Sequence, residues 1–300
     1  MAAESSADDS AVSHSRAARP TYAADLREAA SEFWRFRELL YQLTLRDVRI
    51  RYKQAVFGLG WALFMPTIIV LAGCLVRFTV LRMSGEPLRL ETIAALSIKA
   101  LAWAFFVGTI NFATTSLTGN LQLVTKVYFP RAVLPLSATL AQCFDTAIGA
   151  AVLAVALPFM GVRFSLALLW VPVLLLLLFL FTVASSLFLS CANLFYRDVK
   201  YIVQVLLTFG IFFTPVFFEP AMVGPDLARL SMLNPLAPLL EGLRLAIVEG
   251  HNLLVPVTSP AGALLWSPTY LAYAATWAIA GLVVSAVIFH RSEFVFAEYA

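Results

Sequence analysis

Asp145 is the one acidic residue deep inside an otherwise apolar run, Ala132–Val162. A carboxylate held inside a membrane is costly and marks a functional position by default. It could serve as a proton relay, a hydrogen-bond partner between helices, or a polar group beside a wet path. The sequence shows it no basic or acidic companion in the same layer, which favours the structural role. Lys99 borders another apolar run, where its long stem would let the ammonium snorkel to an interface. The other reactive groups do not assemble. His14, His251 and His290 are far apart, and Cys74, Cys143 and Cys191 lie singly in apolar stretches, where they read as small buried hydrophobes. No glycine is followed by lysine, so the GxxxxGK[ST] phosphate loop is absent, as are HExxH and GxSxG. No catalytic or metal-binding constellation emerges, and any ATP-derived energy would have to come from another subunit.

The elements that must position these groups are membrane spans. The chain has 300 residues, 61% hydrophobic and 13% charged, with a mean hydropathy of +0.84. Soluble domains carry roughly 25% charged residues, so this chain lacks the charge to cover a water-facing surface. Its net charge of +3 does not point to nucleic acid. A spanning helix needs about 20 apolar residues. Candidates are Gln54–Val76, Ala100–Thr125 (ending near Thr115), Ala132–Val162, Phe164–Tyr196, the shorter Tyr201–Phe218, and a last one within Asn252–Phe289. The last is expected from about Thr269, because Pro256, Pro260 and Pro268 break what precedes it. The expected fold is all-α and polytopic, with six spans.

Seven basic residues precede the first span: Arg27, Arg35, Arg37, Arg46, Arg49, Arg51 and Lys53. With six spans both termini share a side, which also receives Lys126, Arg131, Arg197, Lys200 and Arg291, twelve cations in all. The other side receives seven: Arg77, Arg82, Arg89, Lys99, Arg163, Arg229 and Arg244. The positive-inside bias therefore places both termini in the cytosol, although without the N-terminal segment the count is five against seven. Residues 1–21 contain no apolar core, so they read as a disordered tail rather than a cleavable signal. Residues 22–53 place Leu26, Ala29, Phe33, Phe36, Leu40 and Leu43 at helical spacing, with most charges elsewhere. Such an amphipathic helix can lie in the headgroup plane, anchored by Trp34 and Tyr41, or pack on the protein.

Two short polar segments, 119–135 and 193–201, read as connections outside the membrane. Residues 219–268 form a longer external stretch whose apolar pieces, broken by prolines, suggest re-entrant helices or a plain folded loop. Aromatics recur in the spans: Phe57, Trp61 and Phe64 on one face of the first, then Trp103 and Phe106 in the second. Such faces can stack on sugar rings along a path, form an interfacial belt, or simply pack.

The run RDVRIRYKQAVFGLGWALFMP carries Arg51, Tyr52, Lys53 and Gln54, followed by Gly58, Trp61, Ala62 and Pro66 in a G-x-x-W-A-x-x-x-P pattern. It resembles the opening of the membrane subunits of type-two ABC exporters for polysaccharides and polyol phosphates, the group serving O-antigen, capsule and teichoic-acid export. LVTKVYFPRAVLPLS, NLFYRDVKYIVQVLLTFGIFFTPVFF, LNPLAPLLEGLR and the ending FHRSEFVFAEYA match as well, covering most of residues 33–300. The resemblance implies an interface helix, six spans and re-entrant helices before the last. It implies two copies enclosing a channel and a separate two-copy nucleotide-binding subunit, which would hold the ATP and Mg; this chain would hold no cofactor. Lys126, Tyr128, Phe129, Pro130, Arg131, Arg197 and Asp198 would then face that ATPase. Arg46, Arg49, Arg51, Tyr52 and Lys53 would belong to the interface helix. Phe57, Trp61, Phe64, Trp103, Phe106 and Asp145 become candidates to line the channel. Export of a lipid-linked polysaccharide is the expected function, with drug or lipid export as the alternative within the group. A membrane-embedded glycosyl- or acyltransferase would need paired acidic or His groups, which are missing. A proton-driven carrier would rest on Asp145 alone, and no internal repeat supports one.

Overall fold

The computed structural model describes residues 31, 34–53, 58, 60–84, 89–126, 129–258, 264–293 and 295–296. Ten α-helices follow one another among these residues: α1 (Arg37–Tyr52), α2 (Gly60–Ser84), α3 (Leu90–Thr114), α4 (Leu121–Lys126), α5 (Val133–Ala156), α6 (Trp170–Phe195), α7 (Val199–Phe213), α8 (Pro225–Ser231), α9 (Leu236–Ile247) and α10 (Pro268–Glu293). One two-stranded hairpin, β1 (Val257–Thr258) with β2 (Leu264–Trp266), interrupts the all-helical pattern. Among the described residues five stretches are long and apolar enough to cross a membrane: Gly60–Thr79, Leu90–Thr114, Val133–Met160, Leu166–Phe195 and Pro268–Glu293. The protein is an all-α polytopic membrane protein.

Helix α6 is the axis of the bundle. Its run WVPVLLLLLFLF is apolar all round, as a helix surrounded by other helices and lipid must be. It packs along α10, against α3, and against α9. The α6–α10 contact is close because α10 turns small residues inward: Ala274, Ala278 and Ser285 are buried, and a Cβ on Gly281 would lie 3.6 Å from that of Ala184. Small residues let helix backbones approach where hydrophobicity cannot drive association. Short α9 is buried along Leu236–Ala246 and lies among α3, α6 and α10. Its Gly242 faces Leu174 and Trp266 so closely that an added Cβ would lie 3.1 Å from the leucine.

The expected spans are shifted in two places. The second starts at Leu90 rather than Ala100 and carries Lys99 inside the helix, because that ammonium has partners within the protein. The fifth is a helix of only 15 residues, Val199–Phe213. It rises about 22 Å, short of a hydrocarbon layer of about 30 Å. The chain then turns inside the bundle through Thr214–Glu219. This turn is tolerable only because its polar groups are satisfied by protein: Thr214 donates to the Gly210 carbonyl and accepts from Asn234, and Lys99 donates to the Phe218 carbonyl at 2.7 Å.

Candidate coupling face and its anchoring clusters

Helix α1 runs beside the first half of α5. Leu40 and Leu43 are its buried residues and join Leu117, Val124, Phe129, Val133, Leu187 and Phe289 in one apolar cluster. The polar side is tied down in order along the same neighbour. Asp47 pairs with Arg46 at 2.9 Å and accepts from the Ser137 hydroxyl at 3.0 Å. Arg51 reaches Asp145 at 2.5 Å and Gln142 at 2.9 Å, and its guanidinium lies 3.9 Å over the Phe112 ring. The Tyr52 hydroxyl donates to the other Asp145 oxygen at 2.5 Å. Burial, then the bond to Asp145, pushes the Tyr52 phenol above its ordinary pKa, so it stays protonated as a donor.

This corrects the reading of Asp145 as lacking a companion. Arg51 and Tyr52 arrive from 94 and 93 residues away in sequence, so linear inspection could not pair them. Depth is also less extreme than the sequence suggested. The apolar stretch Val133–Met160 has 28 residues, about 42 Å of helix against about 30 Å of hydrocarbon. With its Met160 end at one boundary, Asp145 lies about 8 Å inside the other. The α1 end of the bundle thus holds an ion pair near the membrane edge, where Arg51 and Asp145 offset each other's desolvation.

The segments 119–135 and 193–201 meet at this same end. Asn193, fully buried, donates to the Thr118 hydroxyl at 3.3 Å and accepts the backbone N–H of Lys200 at 3.1 Å. Around it lies a pocket of about 240 Å³ lined by Thr118, Leu121, Asn193, Leu194, Arg197 and Lys200. Arg197, Asp198, Lys200 and Lys126 are exposed on this surface. Phe129 is buried in the apolar cluster and Pro130 is half-buried. Arg131 turns inward instead: its guanidinium donates to the Val124 carbonyl at 3.3 Å and to the Glu293 backbone carbonyl, while its backbone N–H donates to the Glu293 carboxylate, fastening α4 to the end of α10. Tyr128 lies outside the described residues. Arg49 of α1 and Lys53, just past its end, are exposed.

The aromatic candidates divide. Trp61 and Phe64 meet edge to face at 5.0 Å and are each about half exposed. With Ile68, Leu71, Leu75 and Phe78 they form an outward stripe along α2 at three- and four-residue spacing. Trp103 is buried against Gly210 of α7, and Phe106 stacks on Phe181 at 5.8 Å, so both are engaged in packing within the chain. Phe57 lies outside the described residues.

A second charged cluster lies toward the other end of the bundle. Lys99, 1% exposed, is 3.6 Å from Glu241. Arg244 binds Glu241 and Glu249 at 2.6 Å each and faces Glu219 at 3.7 Å. Arg77 from α2 pairs with Glu219. Three cations meet three carboxylates, joining α2, α3, the turn after α7, and α9. The expectation that Lys99 snorkels to an interface is overturned, because the ammonium is enclosed by its own helix neighbours. Sequence reasoning passed over this cluster. Its local trace was the i, i+3 pair Glu241–Arg244; the remaining members are far apart along the chain.

The profile of the ABC-2 type transporter family matches residues 38–248, from the start of α1 through α9. The chain belongs to the ABC-2 type transporter family. This ABC-2 membrane subunit is 28% identical over 247 residues to the O-antigen export system permease protein RfbA of Myxococcus xanthus, covering 79% of this chain and 92% of the relative. The protein of the same name from Klebsiella pneumoniae is 27% identical over 214 residues, covering 71% and 81%. The family match covers the α1 anchor and every member of the second charged cluster except Glu249, which directly follows its last residue. Both clusters therefore belong to the transporter body.

Proposed function

We propose that this chain is the channel-forming subunit of an ATP-driven exporter. In this reading it carries a lipid-linked cell-surface polysaccharide across the bacterial cytoplasmic membrane, working as two copies with two copies of a separate ABC ATPase. The observation that carries the reading is the family match over a chain whose two connecting segments share one pocket. Leu121 of one segment, with Thr118 just before it, lines that pocket together with Arg197 and Lys200 of the other. A partner pressing there would act on α3, α4, α6 and α7 together. The O-antigen export relatives support a glycan cargo.

Burial also bears on the orientation of this reading. Positive-inside counting concerns cations in short loops. Arg77, Lys99 and Arg244 on one side and Arg51 on the other have largely buried, paired side chains. Setting these aside leaves eleven basic residues on the side of the termini against four, which supports cytosolic termini and a cytosolic coupling face. A channel is energetically required because a hydroxyl-rich chain crossing hydrocarbon would lose many hydrogen bonds, each costing several kcal/mol. ATP binding by the partner would supply direction by favouring one conformation.

The test is co-expression with a candidate ABC ATPase subunit, purification, and ATP hydrolysis in the presence of lipid-linked glycan. Co-purification, glycan-stimulated hydrolysis and loss of surface glycan on deletion are expected. Unchanged surface glycan with raised drug sensitivity would instead assign a drug exporter. Export without any ATPase would overturn the reading.

A further inference from the structure

The bundle also contains a slot that the proposed channel and coupling face do not use. It has a volume of about 680 Å³, within the range of small-molecule sites. Ile98, Ala102 and Phe105 of α3 and Leu243 of α9 make its buried back wall, while α5 and α6 form its sides. On α5 the side is Ala147, Ala150 and Ala154, all exposed. Small residues there hold the slot open, since larger ones would fill it. Thr146 also borders it, but its hydroxyl is bonded to the Gln142 carbonyl, so the lining remains apolar.

A cation stands at the mouth. Gly161, with a φ of 86°, ends the α5 stretch in a left-handed turn. Arg163 follows, exposed and lining the slot. Among the described residues it makes no ion pair. Its neighbours on this turn are strongly exposed apolar side chains: Phe159 at 82%, Phe164 at 79% and Leu166 at 86%. Such a rim is unfavourable in water. It suits the boundary where hydrocarbon meets headgroups, the level at which an arginine holds its charge outward.

We propose that this slot binds one glycerophospholipid, with an acyl chain between α5 and α6 and the headgroup phosphate on Arg163. The apolar walls match the chain. The unpaired guanidinium matches the phosphate, which it can hold through two parallel hydrogen bonds. The inference rests on the membrane-spanning fold and the slot, and is independent of what the protein exports.

The experiment places the purified protein in nanodiscs containing phosphatidylglycerol with a photoactivatable diazirine on its acyl chain, followed by peptide mapping. Labelling concentrated on residues 147–154 and 171–178 is expected. Ala150→Phe, which fills the slot, should remove that labelling. Arg163→Glu, on an exposed turn, should lower it about fivefold, the scale of losing one basic contact to an anionic lipid. The second variant remains decisive if the first does not fold. Labelling of these segments that both folded variants leave unchanged would identify bulk surrounding lipid and overturn the proposal. Labelling that Arg163→Glu alone leaves unchanged would overturn the headgroup assignment.

Discussion

Lys99→Met isolates the energetic role of the buried charge cluster. The substitution keeps an unbranched apolar stem in place and removes only the ammonium. Two groups lose their partner: the Phe218 carbonyl, 2.7 Å from the ammonium, and Glu241 Oε2, which has no hydrogen bond of its own and faces Lys99 at 3.6 Å. Three carboxylates are then left against two arginines. Removing one member of a buried ion pair costs about 3–5 kcal/mol, and a stranded buried carbonyl about 1–3 kcal/mol. Because both groups belong to one network the terms do not add, and the expected loss is about 3–5 kcal/mol. Introducing Glu241→Gln beside it restores charge balance while keeping an acceptor for Arg244. The pair should then be less damaging than the sum of the single changes, with a coupling of about 1–3 kcal/mol. Denaturant unfolding in mild detergent, followed by tryptophan fluorescence and helical circular dichroism, measures both quantities. A Lys99→Met protein within about 0.5 kcal/mol of wild type, or strictly additive single and double changes, would refute the assignment of the cluster as a paired network.

At the opposite end, Asp145→Ala should destabilise more than Asp145→Asn, since the one amide oxygen can still accept from either Tyr52 or Arg51, which donate to different oxygens of Asp145; the gap should be about 1–2 kcal/mol in the same unfolding assay. Transport retained in Asp145→Asn would also exclude a proton relay. Exposed Arg197→Glu is expected to leave melting unchanged but to cut ATPase co-purification about tenfold, on the order of one charge pair at an interface. Arg131→Ala should lower the melting temperature, because that guanidinium serves contacts within the chain. Gly242→Val should cost about 1–3 kcal/mol by driving a side chain into Leu174 and Trp266, whereas Gly224→Ala, with nothing near its Cβ, should be close to neutral.

Much of the architecture was legible without coordinates. Charge-free runs located the long spans, and Pro268 marked where α10 begins. The segments TKVYFPR and RDVKY could be singled out from sequence, yet their convergence on Asn193 and Thr118 is a tertiary fact. A charge by itself is a poor guide to its depth in the bundle. Read alone, Lys99 marks the border of an apolar run; Glu241 and Phe218, more than a hundred residues away, give its ammonium partners inside the protein. Trp103 and Trp61 look equivalent as span aromatics, but only Trp61 remains on an outward face.

The sequence by itself determined that this is a polytopic helical membrane protein, because length and hydropathy are local properties. The tertiary structure decided which charges are paired and which aromatics face outward. It also decided that α7 stops short and that an apolar slot of about 680 Å³ opens between α5 and α6. Those outcomes depend on distances between residues far apart along the chain. In hydrocarbon, where no water can satisfy a polar group, such distances decide whether a buried charge is tolerable.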